Sequence, residues 1–220
     1  MRSVEQIIEE QMQRWQLMRA EKKKEEEKGI RVITISREPG SGGRIVAERL
    51  AEKLGLELFH QEVLHEMAES ANVSGRLVKT LDEKGMSVLS EWVDSLVDSR
   101  HLWPDQYLRH LMKVIGTIGR HGRAVMIGRG ANFVLPPGKR FSVRVVSPRK
   151  VRVQNVSKEF GIPADEAERR VIRTESDRRA FVRKYFNGDI ANPTNYDLVI
   201  NTATLSIDEA VEIISGALGK

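Results

Sequence analysis

Residues 31–54 read RVITISREPGSGGRIVAERLAEKL, and the order of residue types in this stretch sets the fold. Val32, Ile33 and Ile35 are β-branched and nearly continuous, the composition of a short strand covered on both faces. Gly40, Gly42 and Gly43 follow with Ser41 among them, supplying backbone without Cβ atoms where successive N–H groups can converge on an anion. Ile45, Val46, Ala47, Leu50, Ala51 and Leu54 then recur at helical spacing from Arg44 onward. A glycine turn between a strand and a helix N-terminus is a phosphate-binding arrangement, because the helix dipole and its unpaired N–H groups both favour negative charge.

Outward from this stretch, four further apolar segments read as strands: Leu56 to Phe59, Ala124 to Ile127, Phe141 to Val146, and Leu198 to Ile200. Helical periodicity runs over Gln61 to Ser70, over Val73 to Arg100 as one continuous helix, and from Pro104 and Asp105 to His121. The last two are expected to wall the acceptor side. Strands alternating with helices give an α/β fold with a mainly parallel five-stranded sheet and right-handed crossovers. Ligands in such sheets bind beyond the carboxyl ends of the strands. Ser36 to Gly43 follows the first strand and Gly128-Arg129-Gly130 follows the third, so both face one crevice.

Between Arg144 and Lys184 there are twelve basic and six acidic residues. Arg173, Asp177, Arg178, Arg179 and Arg183 fall on about three turns of one helix, and a guanidinium fork can hold phosphate oxygens bidentately. An arginine-rich helical lid over the phosphate turn, at about 163–190, is the functional reading. A solvated helix with local Glu and Asp pairing is the competing one.

The chain's 220 residues are 40% hydrophobic, enough for one large core with an appendage. Cysteine is absent, which excludes disulfides and thiolate metal sites and fits a reducing cytoplasm. Neither an export signal nor an 18-residue apolar run is present, so the expectation is a cytoplasmic protein with no membrane partner. The net charge of +5 suits an anionic small molecule, while balanced charge and 5% aromatic content speak against nucleic acid.

The segment 1–28 carries Val4, Ile7, Ile8, Met12, Trp15 and Met18 as one helical stripe, followed by the solvated run KKKEEEK at Lys22 to Lys28. It reads as an amphipathic extension to a domain spanning 29–220. Its stripe either packs on that domain or seats on a second copy, forming a homodimer. Trp15, Trp92 and Trp103 read as packing residues, and His60 and His65 as surface or core residues rather than ligands. Tyr107 and Arg109 could face an acceptor base, and Asn201 and Thr202 could edge an adenine or cap a turn. Arg37 points at phosphate or pairs with Glu38.

Four blocks in order, SREPGSGGRIVAERLAEKLG, VMIGRGANFVL, the RTESDRRAFVRKYF region and NYDLVINTATLSIDEAVEII, resemble the cytidylate kinase-like proteins of the P-loop nucleoside monophosphate kinase superfamily. The resemblance covers about Arg31 to the C-terminus. It implies a P-loop NTPase-type three-layer fold, a mobile lid, and transfer of the γ-phosphoryl group of ATP to CMP or dCMP with Mg²⁺. Carried onto matching positions, Gly40, Ser41, Gly42 and Gly43 cradle the β-phosphate and Arg44 takes the place of the P-loop lysine. Arg129 contacts the acceptor phosphate or transferred group, Asp177 and Arg178 form the lid's acidic and basic pair, and Arg173, Arg179 and Arg183 are nearby nucleotide-binding candidates.

The sequence departs from the G-x-x-x-x-G-K-[ST] pattern: Glu38 stands at the first glycine, Arg44 at the lysine, and Ile45 and Val46 offer no hydroxyl for Mg²⁺. The metal would be held by nucleotide oxygens and water, with Glu38 or Asp177, and no residue set is assigned to it as a metal site. His60 to Glu66 replaces the family's D-S-G-x-x-Y-R block, and Gly130 replaces the acidic residue of the family's G-R block. Three functions are compatible with these residues: a nucleotide-dependent kinase, a nucleotide-binding regulator with a degenerate phosphate loop, and a nucleic-acid module.

Overall fold

Alternate residues of one sheet feed two separate cores, and that division places the site. The computed structural model describes residues 4–21, 32–102 and 104–218. Strands β1 (Val32–Arg37), β2 (Glu57–Phe59), β3 (Ala124–Ile127), β4 (Phe141–Val146) and β5 (Leu198–Asn201) form a parallel sheet in the order β2-β3-β1-β4-β5. Helix α2 (Gly43–Leu54) and helix α10 (Ile207–Leu218) cover one face, where Ile33, Ile35, Val125, Ile127, Val143, Val145 and Ile200 meet Val46, Leu50 and Ile214. Each fully buried side chain of this kind contributes roughly 1.5–3 kcal/mol. The result is the three-layer, P-loop NTPase-type fold.

The opposite face carries Val32, Phe59, Ala124 and Met126 toward a larger helical layer. It contains α1 (Val4–Glu21), α3 (Gln61–Glu69), α4 (Ala71–Val78), α5 (Glu83–Ser99), α6 (Gln106–His121) and α7 (Ala131–Val134). The helix expected over Val73 to Arg100 is in fact two. Lys79 to Asp82 interrupts it, and Asp82 caps α5 by accepting the Gly85 N–H at 2.7 Å. Apolar periodicity persisted through a break made by a capping aspartate, which periodicity alone does not register. Asp105 caps α6 in the same manner. Neither α5 nor α6 supplies a residue to the cleft described below; α6 packs against α3 and α4, and α5 against α6.

On α1, Ile8, Met12 and Trp15 are buried in the chain's own core, with Trp15 stacked on His121 at 4.2 Å. Trp92 donates to the Val134 carbonyl, a packing role. The Met18 side chain, the charged run at 22–28 with its boundary, Arg31 and Trp103 lie outside the described residues. No described helix is long and apolar enough to cross a membrane.

After β4, α8 (Arg149–Phe160) and α9 (Ala164–Phe186) form a hairpin. The first half of α9 packs on α8 through Val156, Ala167 and Val171, a small cluster of its own. Its last turns bury Val182 and Phe186 in the main core. A helix anchored at one end and supported only by a neighbouring helix at the other is built like a lever.

Candidate functional site

The carboxyl ends of β1 and β3 open into a cleft of about 380 Å³. It is lined by Ser36, Arg37, Gln61, Gly128, Arg129, Gly130, Asn132, Thr174, Asp177, Arg178, Phe181, Val182 and Ile190. Beside it, the turn from β1 to α2 is held from three sides. Ser41 Oγ donates to the Glu38 carbonyl (2.8 Å), Asn155 Nδ2 of α8 donates to the Gly40 carbonyl (2.8 Å), and Thr202 Oγ1 donates to the Ser41 carbonyl (2.8 Å). Gly40 has φ +76°, and a Cβ there would lie 2.4 Å from the Arg152 carbonyl oxygen, so only glycine passes under α8. Gly42, at φ +74°, caps α2, whose first N–H groups have no acceptor within the helix.

Glu38, which sequence placed at a phosphate-loop glycine, is occupied structurally. Its Oε2 accepts the Ser147 N–H at 3.0 Å and meets Arg152 Nε at 3.2 Å. Arg152, 5% exposed, also meets Glu175 of α9 at 3.2 Å. A carboxylate–guanidinium–carboxylate bridge thus ties the loop, α8 and α9 together. Glu38 is committed to that bridge and does not line the cleft.

Three arginines line the cleft, Arg37, Arg129 and Arg178, and a fourth, Arg144, is buried beside them. Arg37, the last residue of β1, donates from Nη2 to Gln61 Oε1 at 2.7 Å. Arg178 Nη1 donates to the Arg37 carbonyl at 2.9 Å. Arg129 sits over the Phe181 ring at 5.3 Å, and Arg144 donates to Ser36 Oγ at 2.7 Å with its guanidinium over Tyr196. Among the described residues none of the four forms an ion pair, and each spends its bonds on neutral oxygens or rings. Burial, with repulsion from Arg178, Arg129 and Arg144, pushes the Arg37 guanidinium down to about 9. Burial and Arg144 push Arg178 down to about 10. Glu62 offsets part of the repulsion on each, and both stay charged at neutral pH, so the cleft, with Asp177 as its lining carboxylate, holds an excess of positive charge that an anionic ligand relieves.

The Gly128-Arg129-Gly130 turn has all three residues at positive φ (+75°, +49° and +67°). For Arg129 that conformation costs about 1–2 kcal/mol. A Cβ at Gly128 would meet Arg37 Nη1 at 2.5 Å, and one at Gly130 would meet the Phe186 ring at 2.1 Å. The ring fills the space in which an acidic side chain at 130 would stand.

Of the residues singled out from sequence, Arg129, Asp177 and Arg178 line the cleft, while Gly40, Ser41, Gly42 and Gly43 lie outside its lining, on the turn that continues from Arg37. Arg44 does not line it: its side chain is 68% exposed and pairs with Glu48 one turn along α2 at 2.9 Å. Arg173, Arg179 and Arg183 are exposed on α9 outside the lining, and Arg179 pairs with Glu175. Tyr107 is held by His65 Nδ1 at 3.1 Å, beside Tyr185, and Asn201 accepts the Ala203 N–H in a turn. Arg144 and Gln61 were not anticipated; Arg37, read as pointing at phosphate or pairing with Glu38, lies in the cleft on Gln61. Arg144 left a signal in FSVRVV, where an arginine interrupts a strand that a parallel sheet buries on both faces.

Among the described residues no group of three or more His, Asp or Glu is placed to hold a metal. Asp177 is the carboxylate of the cleft lining, so a divalent cation fits here only in company with phosphate oxygens and water.

Residues 32–204 match the family model described as the cytidylate kinase-like family. A cytidylate kinase of Ignicoccus hospitalis is 27% identical, over 85% of this chain and 98% of that protein. One of Methanopyrus kandleri is 29% identical, over 85% of this chain and 92% of that protein. The solved structure of an uncharacterized protein from Eubacterium ventriosum superposes with a TM-score of 0.65 at 19% identity, covering 86% of this chain and 98% of that one, a likeness of fold.

Proposed function

The chain belongs to the cytidylate kinase-like family, and on that premise we propose that it is a nucleotide-dependent phosphotransferase moving the γ-phosphoryl group of ATP to CMP, dCMP or a related small acceptor. The observation that carries this reading is the group of unpaired guanidiniums beside a glycine turn at a helix N-terminus. Phosphoryl transfer asks little covalent chemistry of a protein. It asks for alignment and for positive charge around the equatorial oxygens.

In this scheme the backbone of Gly40, Ser41, Gly42 and Gly43 receives the β-phosphate. Arg129 and Arg178 hold the acceptor phosphate and the group in transfer. Asp177 stands where it can orient the acceptor or a cation's water, and Mg²⁺ would neutralise charge on the nucleotide phosphates. Arg173 and Arg179 lie on the same helix as Arg178, and tilting of α9 about its anchored end would bring them toward the nucleotide, while Arg183 stands at that anchored end as a further candidate.

Two observations favour a second reading, a nucleotide-binding regulator without turnover: Glu38 is held by Arg152, and no hydroxyl follows the loop to ligate a metal. A coupled assay of ADP release with CMP, dCMP, UMP, AMP and small hydroxylated acceptors separates the two. Acceptor-dependent ADP release with a pyrimidine monophosphate is the expected result. ATP binding with no acceptor-dependent release would leave the regulator.

A further inference from the structure

The glycine turn lacks the lysine that such turns use to reach the β- and γ-phosphates, and two arginines compete for its part. Arg44 follows the turn in sequence, yet its side chain lies in solvent against Glu48. Arg37 precedes the turn, and its guanidinium lies in the cleft against Gln61 and the Gly128 turn. The two positions are told apart by the space around Gly43. Gly42 is the left-handed cap and Gly43 the first helical residue, so in register the pattern's second glycine falls on Gly42, its lysine on Gly43 and its first glycine on Arg37.

A Cβ built on Gly43 would lie 2.5 Å from the Arg37 Cβ and 3.2 Å from its Cγ, with the Val145 Cβ at 3.1 Å. The stem of Arg37 therefore fills the direction in which a side chain at 43 would leave the backbone. Each residue excludes the alternative at the other: with arginine at 37 there is no room for lysine at 43, and with glycine at 43 there is no cation from that side.

We propose that Arg37 supplies the phosphate-facing cation of this loop, an exchange in which arginine at the first-glycine position and glycine at the lysine position together replace the usual glycine and lysine. The proposal rests on the phosphotransferase reading and names the residue that carries its charge. Arg37 enters from the strand side of the loop, so its fork reaches the boundary between the loop and the Gly128-Arg129-Gly130 turn. That is the boundary a phosphoryl group crosses. A planar fork there can bridge an oxygen of the nucleotide and an oxygen of the acceptor, which the point charge of an ammonium cannot do bidentately.

The test compares Arg37→Ala, Arg44→Ala, Gly43→Lys and the double variant Arg37→Gly with Gly43→Lys, in the full chain. Turnover with ATP and CMP is measured beside calorimetric affinity for a non-hydrolysable ATP analogue, with thermal unfolding confirming that each variant is folded. Arg37→Ala is expected to lower kcat by about 100-fold or more, Arg44→Ala by less than about threefold, and Gly43→Lys alone to be impaired. The double variant is expected to regain about tenfold or more over Arg37→Ala, because a lysine at 43 then has both the room and the role. Residues that merely pack together would not recover turnover through a cation entering from the other side.

Wild-type turnover in Arg37→Ala overturns the proposal, as does an equal loss in Arg44→Ala or a folded double variant no more active than Gly43→Lys. If the wild-type chain transfers nothing to any acceptor, the phosphotransferase reading fails by itself. The Arg37 assignment is then decided by affinity for the analogue: a loss of about tenfold or more in Arg37→Ala upholds it, and unchanged affinity overturns it.

Discussion

On one side of the glycine turn Arg152 is buried between two carboxylates, Glu38 and Glu175. On the other side Arg37, Arg129, Arg144 and Arg178 are gathered without a carboxylate bonded to any of them among the described residues. The residue type is the same, and the difference in partners separates two jobs. A neutralised guanidinium in a fixed geometry joins elements, here the loop, α8 and α9. Guanidiniums gathered without a bonded carboxylate cost stability, and under the proposed function they serve a ligand that brings the missing charge.

Removing a guanidinium from each side measures this contrast. Arg152→Ala leaves two carboxylates facing each other in a mostly buried space, and urea unfolding should show a loss on the order of 3 kcal/mol. A loss under about 1 kcal/mol would mean that the bridge does not hold the loop. Arg179→Ala removes the exposed outer partner of Glu175, and the same measurement should register less than about 0.5 kcal/mol. A larger loss would extend the clamp to the surface of α9.

How much of this was legible in the sequence follows from the same contrast. The strand, glycine turn and helix of residues 31–54 could be read directly, because β-branched runs, glycines and 3.6-residue periodicity are local signals. The remaining strands were equally local, and β3 and β4 fall at the bounds read from sequence. The break at Lys79 to Asp82 was hidden because apolar spacing continued across it. The site was half legible: Arg129, Asp177 and Arg178 could be placed by their blocks. Whether an arginine faces the cleft, pairs with a carboxylate or points to solvent depends on residues more than a hundred positions away, as with Glu38 and Arg152 or Arg37 and Arg178. Arg44 was expected to face phosphate because it follows the glycines, but its direction is set by the first turn of α2 and by Glu48 on the next.

The central claim, that the cleft's positive charge serves a ligand and not the fold, is tested most directly by Arg178→Met, which keeps the buried stem and removes the charge. The stability of the folded, ligand-free variant should stay within about 1 kcal/mol of the wild type, while ATP-dependent transfer falls by about 100-fold. A stability loss comparable to that of Arg152→Ala, or transfer at the wild-type rate, would contradict it.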